Sequence, residues 1–479
     1  MNEFTAIALY FLLILSISAS SYRKMASTDF ILGNRTSNYW LTALAAHASD
    51  MSHWLFMAYP ALIFANGLFS SWVAIGLVLF MYLNWHFIAS RIRIQTEKSN
   101  NLTFFSFLES RFNDQTGSIR LFSFMICFIF STIYISSGLV GLGLLAEKLF
   151  GISYLLAIII AGLIVVSYVW IGGYLTLAKL DLFQGLFLMV VIVFVPSFIF
   201  FKIDGWQSIF DAAKTQNISL SLIPEVSMKK GLEILLLIGG WGLGYFGQPA
   251  IITKFMGIND AHQINKSKSI GMSWMIISLS AATFIGIVGI AFFKEGLANP
   301  EMLFVQMVKE TFHPFFVGLI LCAVFAATIN VMSSQILVLS SSFAEDIYKK
   351  IFRPSASSNE TRLYLRLGVL VVALIAFLIA YFKLSSIYSL VLYAWSGLGA
   401  SFGPVLIFSL YSKRINKSGA WAGMLSGAMT SALWLSLSSF FPLHIDPLVS
   451  ACSVSTLCIW TVSHLTRKDK APLALIKDV

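Results

Sequence analysis

The chain has 479 residues, 58% hydrophobic and 11% charged, with a formal net charge of +10. That composition excludes a soluble globular domain, because repeated apolar runs of about 18 residues or more make an all-α polytopic membrane protein. The surplus of lysine and arginine would suit nucleic acid, but its spread along the chain points to membrane orientation instead.

In chain order, the apolar runs predict thirteen spans, centred near residues 12, 52, 80, 133, 162, 190, 241, 281, 328, 372, 398, 428 and 454. The first, Phe4 to Ser21, has no basic segment ahead of it and reads as a retained helix, not a signal peptide. Cys127, Cys322, Cys452 and Cys458 all fall inside apolar segments without disulfide or zinc spacing, and read as small buried hydrophobes. With the N-terminus outside, 24 of the 32 basic residues fall in the seven segments that then face the cytoplasm. This bias sets the orientation, with the C-terminus cytoplasmic, in a multi-pass protein of the cell inner (plasma) membrane.

Two spans are interrupted. The second runs from about Tyr39 to Phe64 and carries His47, Ser49, Asp50, Ser52 and His53 at its centre. An ionisable residue at membrane depth costs roughly 2.5–3.5 kcal/mol on insertion scales, so it marks a partner or a task. Unwinding there would free carbonyls and N–H groups for a cation or a polar solute. The plainer alternative is an aspartate that bonds nearby backbone and only shapes the helix. The seventh span, Ile234 to Ile252, contains Gly239, Gly240, Gly242, Gly244 and Gly247, followed by Pro249. Such a sequence weakens a helix, and in a membrane it survives only where protein or a watery cavity satisfies the backbone. Close helix packing by small residues is compatible with that reading. The two broken spans are five apart, the spacing of an inverted repeat of five helices plus five, each led by a broken helix. The expected organisation is a preceding helix in 1–30, repeats in 31–205 and 206–415, and two further helices with a short tail in 416–479.

Several words of the sequence resemble the sodium/solute symporter family, and within it the sodium/proline symporters most closely. Ala48-Ser49-Asp50-Met51-Ser52 resembles the family's ion-and-substrate segment, and Trp241 to Pro249, WGLGYFGQP, the proline branch. Ile171-Gly172-Gly173 with Asp181 and Gln184, Glu345 to Tyr348, Trp395 to Gly399, Phe402-Gly403-Pro404, and Arg414 with Gly419, Ala420 and Gly423 extend the likeness from about Asp29 to Gly427.

The resemblance implies a leucine-transporter-type fold, alternating access, and import of a small organic solute, proline or a related amino acid, driven by sodium. It implies sodium ligands at the carbonyls of Ala48, Met51 and Ala327, completed by two ninth-span hydroxyls. Here those two positions hold Asn330, which keeps an amide oxygen, and Val331, which offers nothing. A further sodium site of some members corresponds to Asp181, Ser333 and Ser334. Lys179 is unusual for the family: it is either an ammonium that replaces an ion or a lysine that snorkels to the cytoplasmic surface. On the solute side the resemblance points to Ser52, Trp54, Trp241, Tyr245 and Pro249, with His53 in place of a glycine. An aromatic wall suits a small ring, and unwound N–H groups suit a carboxylate. Asp50 is expected to be functional, and Arg35 to be either a functional arginine or a topology charge.

The chain shows no nucleotide loop, metal-ligand spacing or nucleophile elbow, so no enzyme is expected. Sodium as coupling ion, a small-molecule solute and the lipid bilayer are the expected partners. A proton-coupled or ion-independent carrier of another solute, or a transporter-like sensor, remains the alternative.

Overall fold

The computed structural model describes residues 3–21, 27–383, 386–438 and 445–466. Six basic residues used to orient the chain, Arg23, Lys24, Arg467, Lys468, Lys470 and Lys477, lie outside them. Among the described residues the structure is helical, with one isolated bridge between Ser37 and Ile258.

Helix α1 (Glu3–Ser21) and the short α2 (Ser27–Leu32) lead through a turn at Gly33–Arg35 into α3 (Tyr39–Ala48). Asn38 caps α3 by accepting from Leu41 N at 2.9 Å. The helix stops in the middle of an apolar run. Residues 49–52 leave helical geometry, a single tight turn follows at His53–Leu55, and α4 (Ala58–Asn66) resumes. The second span is therefore broken at Asp50, as its polar centre predicts.

The next span joins α5 (Trp72–Leu83) through a π-turn at Asn84–Ala89 to α6 (Ser90–Lys98). After α7 (Phe104–Arg111) and α8 (Ser118–Phe150) comes α9 (Tyr154–Lys202), 49 residues long. At 1.5 Å per residue that is about 73 Å, more than twice a hydrocarbon core of about 30 Å. It is two spans, parted at Gly173, where φ is 60° and ψ is −169°. The short α10 (Trp206–Thr215) precedes the second break. There α11 (Met228–Gly242) passes through the turn Leu243–Gly247 into α12 (Pro249–Met256), bent by 51°. The chain continues through α13 (Ile264–Phe292), α14 (Leu303–Thr311), α15 (Pro314–Ser342) and α16 (Ser358–Tyr381). It finishes with α17 (Ile387–Tyr411), α18 (Lys417–Leu437) and α19 (Pro447–Leu465).

Eight helices among the described residues are long and apolar enough to cross a membrane unaided, and the bent pair makes nine. Splitting α9 and adding α1, the α3–α4 pair and α18 accommodates all thirteen expected spans. Burial separates centre from periphery: the most apolar stretches of α15 and α17 are 83% buried, against 33% for α16 and α19. The enclosed helices surround the two breaks, and the exposed faces of α16 and α19 suit lipid.

The turn at Gly173 tolerates no side chain. Its φ and ψ lie where glycine alone is at ease, and a Cβ there would stand 3.1 Å from Phe30 Cα. Gly173→Ala is expected to destabilise the protein by about 1–3 kcal/mol, read as a lower thermal midpoint in detergent. A midpoint equal to that of the wild type would refute this account of the kink.

Candidate functional site

The two breaks meet. Tyr245, on the broken turn after α11, donates its hydroxyl to the carboxylate of Asp50, on the broken segment after α3. Asp50 is 9% exposed and Tyr245 is fully buried. Ser49 reaches the third element: its hydroxyl lies 2.8 Å from that of Ser334 on α15.

The sequence around each break explains how the open backbone is tolerated. Ser52 accepts from Trp54 N at 3.3 Å and so caps the turn that follows Asp50. Asn84, in the π-turn after α5, donates to Tyr245 O at 3.0 Å. Gln248 donates to Gly244 O and Trp395 O, each at 3.3 Å. Trp395 Nε1 donates to Trp241 O at 2.9 Å. A Cβ on Gly244 would lie 2.1 Å from that same indole nitrogen, so the approach of α17 to the break requires glycine. Side-chain amides and one indole thus replace the helical bonds that the break gives up.

Asp50, Met51, Trp54, Trp241, Tyr245 and Trp395 line a cavity of ≈ 20 Å³, together with Leu77, Tyr134 and Val391. That is room for about one water molecule. Trp54 packs on Trp241 with ring centroids 5.2 Å apart and stacks on Tyr59 at 5.0 Å. Tyr245 meets Trp395 edge-on at 5.2 Å. The wall is aromatic with one carboxylate, and it is collapsed, so an amino-acid-sized solute has to part the rings. Four of the expected residues therefore share the cavity wall: Asp50, Trp54, Trp241 and Tyr245. Met51, expected for its carbonyl, lines it as well. Ser52, His53 and Pro249 do not line it. Ser52 caps its turn, and Pro249 starts α12 beyond the break. The buried His53 ring packs against Gly141 of α8, 3.2 Å from where a Cβ there would stand. Tyr134, Leu77 and Val391 were not anticipated, since nothing in their local sequence sets them apart from other apolar helix residues.

Among the described residues no group of three or more His, Cys, Asp or Glu converges. A cation here is left with carbonyl, hydroxyl and amide oxygens, the donor set of a hard ion. No hydrogen bond among the described residues ends on the carbonyls of Ala48 or Met51. On α15, Ala327, Asn330 and Ser334 share one face by their spacing, and the Ser334–Ser49 contact brings that face to the break. Asn330 is buried with its amide nitrogen unpartnered, and Val331 beside it is apolar and buried. These oxygens fit a sodium ion, with one donor fewer than two hydroxyls would supply.

Asp181 stands elsewhere and is already paired. Lys254 Nζ, on α12, lies 2.9 Å from its carboxylate, and both side chains are 2% exposed. Lys179 is exposed, as snorkelling to a surface requires. Ser333 is buried, and its hydroxyl has no partner among the described residues.

Arg35 clamps one end of the molecule. It donates to Met256 O and Asn101 O at 2.8 Å and to Thr96 O at 3.0 Å. Arg93 donates to Ile258 O at 2.6 Å and to Asn259 O at 3.1 Å. The segment after α12 is thus stitched to α6 and to the turn before α3. Burial first, and then the neighbouring Arg93 guanidinium, push Arg35 down to about 10, which leaves it cationic at neutral pH.

Residues 30–427 match the sodium:solute symporter family. The chain is 40% identical to the high-affinity proline transporter PutP of Bacillus subtilis (strain 168), covering 97% of this chain and 98% of that protein. It is 36% identical to the sodium/proline symporter of Staphylococcus aureus (strain JH9), covering 98% and 94%. A sodium-coupled sialic acid symporter, solved in a substrate-bound outward-open state, superposes with a TM-score of 0.83 at 18% identity, covering 98% of each chain. At that identity the likeness is one of fold.

Asp50 has a hydroxyl partner and, among the described residues, no basic side chain paired with it. Asp50→Asn is expected to insert in the membrane normally and to lower solute accumulation by about 10- to 150-fold, the worth of a contact to a charged group. Wild-type accumulation kinetics in that variant would contradict this role.

Proposed function

The chain belongs to the sodium:solute symporter family and has the leucine-transporter-type fold, and from that premise we propose that it imports proline together with sodium. It is a multi-pass plasma-membrane transporter. The observation that carries the reading is the bond between Asp50 and Tyr245, which joins an ion-type segment to an aromatic wall within one cavity. Relatives that name proline as their solute align along almost the whole chain.

In this reading Ala48 and Met51 offer free carbonyls to sodium, with Ala327 and Asn330 on the facing side of α15. Trp54, Trp241 and Tyr245 flank the solute ring, and Trp395 backs Tyr245 from α17. N–H groups at the break receive its carboxylate. The charge bias along the chain supports an outside N-terminus, which puts the Arg35 clamp on the cytoplasmic side. With that clamp made and the aromatic wall closed, the cavity is shut from both sides. Parting the rings admits solute from outside, and releasing the segment held by Arg35 and Arg93 delivers it inside.

Proteoliposomes loaded with potassium and given an inward sodium gradient are expected to accumulate labelled proline. A choline gradient of equal size should drive no accumulation. Equal uptake under both gradients would remove sodium coupling, and failure of proline to bind or compete would remove proline.

Val331 leaves the ion one donor short. Losing a polar contact costs about 1–3 kcal/mol, roughly 5- to 150-fold in affinity. Val331→Thr is therefore expected to lower the sodium concentration for half-maximal uptake by a factor in that range. An unchanged sodium dependence in this variant would show that Val331 is no deficit.

A further inference from the structure

Six carboxylates are buried among the described residues, and five of them have a basic partner. Asp114 pairs with Lys417 at 2.6 Å, Glu345 with Lys349 at 3.0 Å, and Asp346 with Arg120 at 3.3 Å. Glu109 is met by Arg120 and by Lys350. Asp181 is met by Lys254 at 2.9 Å. Asp50 alone has only a neutral hydroxyl.

Lys254 is built into its place. Its ammonium lies 5.4 Å from the centroid of the Tyr174 ring, and the Tyr174 hydroxyl donates to its backbone carbonyl at 3.3 Å. Lys254 is buried, unlike the exposed Lys179. A buried carboxylate and ammonium in contact are neutral together, and a sodium ion added there would leave a net positive charge out of water. Asp181 therefore does not fit a sodium site in this chain.

We propose that Lys254 is a tethered cation that sets the ion count of this transporter: it occupies Asp181 permanently, leaving Asp50 as the one buried carboxylate among the described residues without a basic partner, and one sodium as the number carried per solute. The proposal rests on the sodium-coupled reading above. It makes Lys254 a determinant of stoichiometry that touches neither solute nor ion. It also predicts what removing the lysine does. Lys254→Met keeps the stem's volume and deletes the charge, exposing a second buried carboxylate to a second sodium.

The test is the ratio of labelled sodium to labelled proline entering proteoliposomes, with sodium-dependent thermal stabilisation of the solute-free protein as a second readout. The wild type should carry one sodium per proline, with a Hill coefficient of one for sodium. Lys254→Met should move both values toward two and steepen the stabilisation by sodium. The neutral pair Lys254→Met/Asp181→Asn should return to one, and it keeps the proposal testable if the single variant folds poorly. Two sodium ions per proline in the wild type, a Lys254→Met variant still at one, or loss of sodium dependence in the double variant would each overturn the proposal. Proline uptake indifferent to sodium in the wild type would instead remove the coupling reading on which it stands.

Discussion

A carboxylate without a cation, enclosed among apolar helices, is the constraint from which the rest of the structure follows. Taking an ionised group out of water is costly unless it is paired and hydrogen-bonded. Asp50 is held by the hydroxyl of Tyr245, and that bond exists only because two helices break at the same depth. The first break supplies the carboxylate, the bare carbonyls and Trp54, and the second supplies the hydroxyl of Tyr245 and the ring of Trp241. The two breaks therefore touch through this bond and through the packing of Trp54 on Trp241.

Breaking helices inside a membrane leaves backbone groups that need partners. The chain provides them from outside each break, through Asn84, Gln248 and Trp395. The glycines of the second break let α17 come close enough for these bonds to form, as the contact between Gly244 and Trp395 shows. The break is thus stabilised by a rigid, buried neighbour. The opposite arm, α12, is secured separately: by Lys254 to α9, and by Arg35 and Arg93 through the segment that follows it. A helix broken at its centre and fastened at its end can tilt about the break as one piece, the kind of movement that alternating access needs.

Much of this was legible in the sequence because it is written locally. A polar patch inside an apolar run marks the first break, and glycines followed by proline mark the second. The spacing between them exposes the repeat. The meeting of Asp50 and Tyr245 was foreshadowed only as membership of one site. What escaped was tertiary. Lys254 lies 73 residues from Asp181, and no periodicity links them; Lys179 is close to Asp181 in sequence, but residues two apart on a helix point in different directions. His53 sits among the site residues in sequence yet packs on Gly141, because the turn after Ser52 rotates it toward α8. Tyr134, Leu77 and Val391 join the cavity from helices whose apolar pattern has little periodicity to show which face looks inward.

The central claim is that ion segment and solute wall form one coupled site. It is tested most directly by equilibrium binding of labelled proline to the purified protein across a sodium series, in the wild type and in Tyr245→Phe. The account predicts that sodium tightens proline binding in the wild type by about 5- to 150-fold, that proline tightens sodium binding by the same factor, and that Tyr245→Phe greatly reduces both effects. Proline affinity that ignores sodium in the wild type, or coupling that survives intact in Tyr245→Phe, would contradict it.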